Sequence, residues 1–242
     1  MEVEAARIVQ VTDTHFSASA GVPAQWPPTL QWLREDPPDL VVHSGDIVFE
    51  DPDDDADRDF ARELLSAVRA PLHCIPGNHD VGAYDDDGPR RQRVATFREA
   101  WGDDRFAVDL AGWRIIGVDA YLLGDADHDG WLHTVTRTPV PVLAFVHQPL
   151  EGDPRDGWEM PPAARRAFDL AIDGSDLRVV ASGHRHVAGR LGRAVWAPSL
   201  TLDGAPELGF DPRCGAVEHL IGADGRYESR VVRPWIDDKR SP

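Results

Sequence analysis

Five apolar runs rich in β-branched residues punctuate this chain, and a polar block closes each of them. ARIVQV leads to Asp13-Thr14-His15, DLVVHS to Gly45-Asp46, and PLHCIP to Gly77-Asn78-His79-Asp80. VLAFV leads to His147, and RVVAS to Gly183-His184-Arg185-His186. Continuous or alternating Val/Ile/Leu runs of this length read as buried strands. Their polar blocks then fall at the carboxyl ends of strands, the edge along which mixed α/β sheets carry their sites. Carboxylates, imidazoles and one carboxamide meeting there have one economical explanation, a pair of divalent metal ions.

A chain of 242 residues can bury a substantial core and lies within the size at which such folds run as one domain. We expect a single domain over 1–233 and a polar C-terminal tail over 234–242. The formal net charge of −17 argues against a sequence-independent grip on DNA or RNA, which needs a basic track for phosphates. A small anionic substrate stays compatible with it, because two divalent cations dominate their local field. Two cysteines make no disulfide framework, and Cys74 sits in a strand as a small apolar residue. No stretch is long enough to span a membrane, and the acidic N-terminus runs straight into the first strand without a secretory signal, so a cytoplasmic location is expected.

Helical segments are expected at Gln25–Arg34, Ala56–Arg69, Pro89–Trp101 and Pro161–Ile172. The second carries Phe60, Leu64, Leu65 and Val68 on one face. Further strands are expected at Trp113–Asp119, Val187–Leu191, Ala194–Ala197, Gly215–Ile221 and Tyr227–Val232. Acidic clusters at Asp51–Asp59, Asp85–Asp87 and Asp125–Asp129 read as solvated loops and helix N-caps in preference to a polyanion-repelling rim.

Taken in order, D-x-H, G-D, G-N-H-D, H and G-H-x-H resemble the pattern of the calcineurin-like metallophosphoesterases. Each block alone is weak; five in order, each closing a strand, are specific. The resemblance runs from Arg7 to the strand after His186. It implies an α+β fold with α/β-type layers, in which two mixed β-sheets pack as a sandwich flanked by helices. It also implies two divalent ions (manganese, iron in either common state, or zinc) about 3.5–4 Å apart and joined by a shared carboxylate. By family position Asp46 is that bridge. Asp13, His15 and His186 complete the first metal, and Asn78, His147 and His184 the second. His79 needs no ligand role and is placed as the acid that protonates the leaving alkoxide, with Asp80 orienting its imidazole. The nucleophile implied is a metal-bridging hydroxide attacking phosphorus in line.

Each ligand has a bland alternative, since a solitary Asp13 is more often a cap and a solitary Asn78 a turn residue. All of these would have to hold together across five blocks. His43, His73, His128, His133 and His219 receive no catalytic role, although the acidic loop carrying His128 could reach the site. Gln148 follows His147 where the family often has a second histidine.

One departure narrows the branch. Phe49 stands three residues after Asp46, where purple acid phosphatases have a metal-binding tyrosine, and the aspartate and arginine-glycine of the protein phosphatases are missing too. What remains resembles the short bacterial branch that includes cyclic-nucleotide phosphodiesterases, with its usual helix shortened between Trp131 and Pro139. The expected activity is hydrolysis of a small phosphate ester, with a phosphodiester such as a cyclic nucleotide leading. A nucleotide or sugar phosphomonoesterase and a non-catalytic metal-binding scaffold stay open, as does a homodimer.

Overall fold

In the computed structural model, residues 5–49, 51–150, 158–205 and 209–236 are described. The chain first forms β1 (Ala5–Val11), α1 (Trp26–Glu35), β2 (Leu40–His43), α2 (Asp55–Ser66), β3 (Leu72–Cys74), α3 (Asn78–Val81) and α4 (Arg90–Trp101). There follow β4 (Phe106–Leu110), β5 (Trp113–Gly117), α5 (Ala126–Thr136), β6 (Val142–Phe145), α6 (Pro162–Ile172) and β7 (Leu177–Ser182). The last elements are β8 (Gly189–Leu191), β9 (Ala194–Trp196), β10 (Ala216–Gly222) and β11 (Tyr227–Val232).

Two mixed sheets result. One has the order β11-β10-β1-β2-β3 and the other β4-β5-β6-β7-β9-β8. Strand alternation explains how they layer. Ile8, Leu40 and Val42 of the first sheet share a buried cluster with Ile115, Leu143, Phe145 and Val179 of the second. Their sequence neighbours Val9, Val41, Ile116, Val142 and Ala144 lie in a second cluster with helix residues such as Leu65, Phe97, Leu132 and Phe168. Successive strand side chains point to opposite faces. The same apolar run therefore fills the sandwich interior and seats the outer helices, which is why these runs carry so few polar residues.

The four expected helices form within a residue or two at their starts, and the second stops at Ser66, three residues short of Arg69. Asp54 caps α2, accepting from the backbone N–H groups of Ala56 and Asp57. Two elements differ from expectation. The segment with Asp125–Asp129 is the start of helix α5, capped by Asp125, so the helix expected to be shortened between Trp131 and Pro139 extends to Thr136. Carboxylates favour a helix N-terminus, and Leu132 packs this helix on the core. Strand β4, not anticipated, forms a hairpin with β5. Within the expected polar tail over 234–242, Trp235 packs against the core; residues 237–242 lie outside the described segments. Among the described residues no helix is long and apolar enough to cross a membrane.

Candidate metal centre

Strands β1, β2 and β3 run parallel, as do β5, β6, β7 and β9, so within each sheet their carboxyl ends share an edge. The loops leaving that edge are laced to one another through the backbone. Asp13 N–H donates to Gly45 O (2.9 Å), His15 N–H to Asp46 O (3.1 Å) and Gly183 N–H to His147 O (3.1 Å). His147 Nδ1 lies 2.9 Å from Ser44 O, which ties the two sheets together. Two glycines are required by the closeness of this lacing. Gly45 has φ 104° and a Cβ there would meet His147 Nδ1 at 2.5 Å, while a Cβ on Gly77 would meet Asp46 Oδ1 at 2.1 Å.

Asp13, His15, Asp46, His184 and His186 all have left-handed backbones, with φ between 45° and 67°. Among the described residues, Ala111 is the one other non-glycine in that region. Such conformations are uncommon and concentrate where function demands them. Here they turn five side chains back over the sheet edge.

The side chains converge in sets around Asp46. Asp13, His15 and His186 offer ligand atoms within 4.8 Å of one another, as do Asp46, His147 and His184. His186 Nε2 is 3.1 Å from Asp13 Oδ1 and 3.2 Å from His15 Nε2. On the other side, His147 Nε2 is 3.1 Å from Asp46 Oδ2 and 3.2 Å from Asn78 Oδ1. All seven expected metal residues are thus gathered along one edge.

Acceptors facing acceptors test whether this set suits a cation. Ser44 O can only accept, so His147 Nδ1 carries a hydrogen and the neutral ring presents the Nε2 lone pair to two further acceptor oxygens. That arrangement asks for a cation or a proton. In the ion-free protein burial pulls the His147 pKa down, but the Asp46 carboxylate outweighs it and carries the value to about 9. Burial pushes the Asp13 and Asp46 carboxyls up, and the imidazoles beside them hold both well below the usual range. Burial, helped by His147, takes His184 down to about 4, so its ring is a neutral donor of a lone pair. Buried carboxylates with neutral imidazoles and one carboxamide oxygen form the donor chemistry of a borderline divalent ion.

His79 sits beside these sets. Its backbone N–H donates to Asp46 Oδ1 (2.9 Å), its ring lies 4.8 Å from that of His15, and its Nε2 is 4.0 Å from Asp46 Oδ2. The side chain is 34% exposed, against 0% for His147 and 4% for His15. Asp80 does not contact that imidazole as expected. Its buried carboxylate accepts from the backbone N–H groups of Gly77 (2.8 Å), Ile47 (3.0 Å) and Val48 (3.2 Å), and thereby joins two ligand loops. A four-residue helical turn directs residue 80 inward while residue 79 faces the site. Burial and the Asp46 charge push the Asp80 pKa up to about 7, against the pull of these N–H donors.

Several supports went unnoticed in the sequence. His43 accepts from Gly45 N–H at Nδ1 and lies 3.0 Å from Thr14 Oγ1 at Nε2, beneath the site. Ser199 Oγ donates to Asp13 O (2.7 Å); it follows the β9 run much as the five blocks follow theirs, and that was the available signal. The Tyr121 hydroxyl is 3.5 Å from Asn78 Oδ1. His128 is buried on α5 beside Arg105 and Trp131, and His219 lies between Gln10 and Tyr227. The acidic clusters act as caps and ion-pair partners, with Asp53 and Asp86 both on Arg93.

Comparison with known proteins agrees with this geometry. The chain belongs to the calcineurin-like phosphoesterase family, whose model matches residues 6–188. It is 26% identical over 208 residues to the metallophosphoesterase YkuE of Bacillus subtilis (strain 168), covering 81% of this chain but only 63% of YkuE. It is 31% identical over 211 residues to the glycerophosphodiester phosphodiesterase GpdQ of Enterobacter lignolyticus (strain SCF1), covering 74% of this chain and 70% of GpdQ. A dimetal phosphatase of Danio rerio shares the fold, with a TM-score of 0.62 at 12% identity over 94% of this chain and 98% of the other.

Proposed function

We propose that the chain is a dinuclear metal-dependent phosphoesterase acting on a small phosphodiester, with a cyclic nucleotide as the leading example. One observation carries the reading: the His147 Nε2 lone pair faces the buried Asp46 and Asn78 oxygens, where only positive charge satisfies all three. Asp13, His15, Asp46 and His186 would hold one ion, and Asp46, Asn78, His147 and His184 the other. When bound, two such ions bring the pKa of water towards neutrality and offset charge on the phosphoryl oxygens.

The chain's own groups complete the chemistry. His79, fixed through its backbone on Asp46 and partly open to solvent, protonates the leaving alkoxide. Asp80 fixes the loops that carry Asp46 and Asn78. Charge favours a monoanionic diester over a dianionic monoester. The arginine inside the His184–His186 turn is directed to Glu159, with 2.6 Å between their charged atoms, and among the described residues the cationic groups of the ligand sets are imidazoles. The name of GpdQ supports a diester as well. Two unpaired cysteines agree with a reducing, cytoplasmic setting.

The test is turnover of matched diesters and monoesters by protein loaded separately with manganese, iron or zinc. Cyclic AMP and bis(p-nitrophenyl) phosphate should be cleaved faster than p-nitrophenyl phosphate. A consistent preference for the monoester would overturn the diester assignment.

A further inference from the structure

Two exposed aromatic rings stand at the site, one beside each ligand set. Phe49 is 36% exposed and meets the His15 ring edge-on, with centroids 5.9 Å apart. Trp158 is 40% exposed and approaches the His184 ring at 5.3 Å. The other exposed large hydrophobic residues among those described, such as Val22, Leu170 and Leu191, are aliphatic. Among the described residues the two most exposed aromatic side chains thus both lie against ligand-set histidines.

Both rings are tied to ligand-bearing loops. The residue after Trp158, Glu159, makes a buried ion pair with Arg185, which stands between His184 and His186. The Met160 N–H donates to Pro149 O (2.8 Å), two residues beyond His147. Desolvating such a pair is costly, and its structural effect here is to fasten residues 158–160 to the His184–His186 turn. On the other side, Val48 N–H is held by Asp80, so Phe49 continues a loop already pinned to the Gly77 turn.

We propose that Phe49 and Trp158 are specificity-determining residues whose exposed rings offer stacking faces to a planar aromatic group on the phosphoester substrate. The proposal rests on the phosphoesterase reading above. A flat π-face stacks on such rings without needing a fixed hydrogen-bond pattern, whereas a glycerol-like group gains little from them.

Calorimetric titration of the manganese-loaded protein with phenylphosphonate, methylphosphonate and butylphosphonate tests this, because the three share a charged head and differ in the organic group. Phenylphosphonate should bind about tenfold tighter than methylphosphonate, a gain of the size expected for aromatic stacking. The double variant Phe49→Ala/Trp158→Ala should remove most of that preference and leave methylphosphonate affinity unchanged, while Trp158→Phe retains it. Equal binding of the phenyl and methyl probes, equal binding of the phenyl and butyl probes, or variants that weaken all probes alike would overturn this proposal alone. Failure of every probe to bind protein that holds two ions, with no turnover of bis(p-nitrophenyl) phosphate by the same protein, would overturn the phosphoester reading and this proposal with it.

Discussion

On one side of Asp46 stand Asp13, His15 and His186; on the other, Asn78, His147 and His184. The first set adds a second carboxylate to the shared one, whereas the second adds a neutral carboxamide. The second is also more enclosed at its anchoring imidazole, with His147 fully buried and His186 23% exposed at its side chain. More negative charge means stronger attraction for a cation, and less burial means a smaller desolvation cost for the ion that enters. The two ions should therefore bind unequally, the first more tightly. The second keeps more of its positive charge for the substrate. A site with one shared carboxylate can thus combine a retained ion with a more electrophilic one.

The harshest way to break the comparison is Asp46→Ala, which removes the group proposed to be common to both sets. The neighbouring acceptors offer no replacement carboxylate at that position. Metal content after extensive dialysis should fall from two ions per chain to none. Two retained ions would refute the shared role of Asp46.

His79→Ala should spare both sets and act on chemistry. Turnover of alkyl esters should drop about 10²–10⁴-fold, the range of general acid catalysis, while esters with a nitrophenolate leaving group lose much less. Metal content should stay at the wild-type value. An equal loss on both ester types would remove His79 from the acid role. Loss of an ion would instead make it a ligand, as its nearness to His15 and Asp46 permits.

Protons offer a gentler probe. In the ion-free protein Asp46 raises His147 to about 9, so below that pH an ion entering the second set must displace a proton. His186 is raised as well, burial pulling it down and the Asp13 hydrogen bond more than offsetting that. Affinity should therefore rise with pH, by about tenfold per unit for each proton displaced. For the second set the rise should continue to near pH 9. Calorimetry in buffers of different ionisation enthalpy would count the released protons, and a pH-independent second step would refute the facing-acceptor account of His147.

The sequence made some of these features readable and hid others for definite reasons. His147 and Asp46 were legible because each directly ends an apolar run, and a strand end fixes position without knowledge of the rest of the fold. Period-two alternation likewise carried the sandwich, since Ile8 and Val9 already assign opposite faces. The direction of Asp80 was not legible, because it depends on a single helical turn in which adjacent residues point to different places. The support given by His43 and Thr14 arises only where β1 and β2 lie side by side. Helix α5 was obscured by its acidic first turn and by Gly130, although Asp125 is a good cap. Trp158 belongs to no periodic segment, and it comes to the site through the fold, by its contact with His184 and the Glu159–Arg185 pair beside it.

The smallest change expected is spectroscopic, and it separates the two sets directly. Phe49 lies beside His15 of the first set but has no oxygen to donate, so iron-loaded wild-type protein should show no phenolate charge-transfer band. Phe49→Tyr places a hydroxyl near that set and should create such a band without altering the metal content. The second set has a tyrosine already in reach, since the Tyr121 hydroxyl is 3.5 Å from Asn78 Oδ1. Burial drives its pKa far above the ordinary value, with Asp46 adding to the effect, which keeps the hydroxyl protonated in the ion-free protein. A band in the wild type that disappears in Tyr121→Phe would show that an ion has captured this phenolate. The second set would then match the first in negative charge, and the difference in affinity argued from Asp13 would disappear.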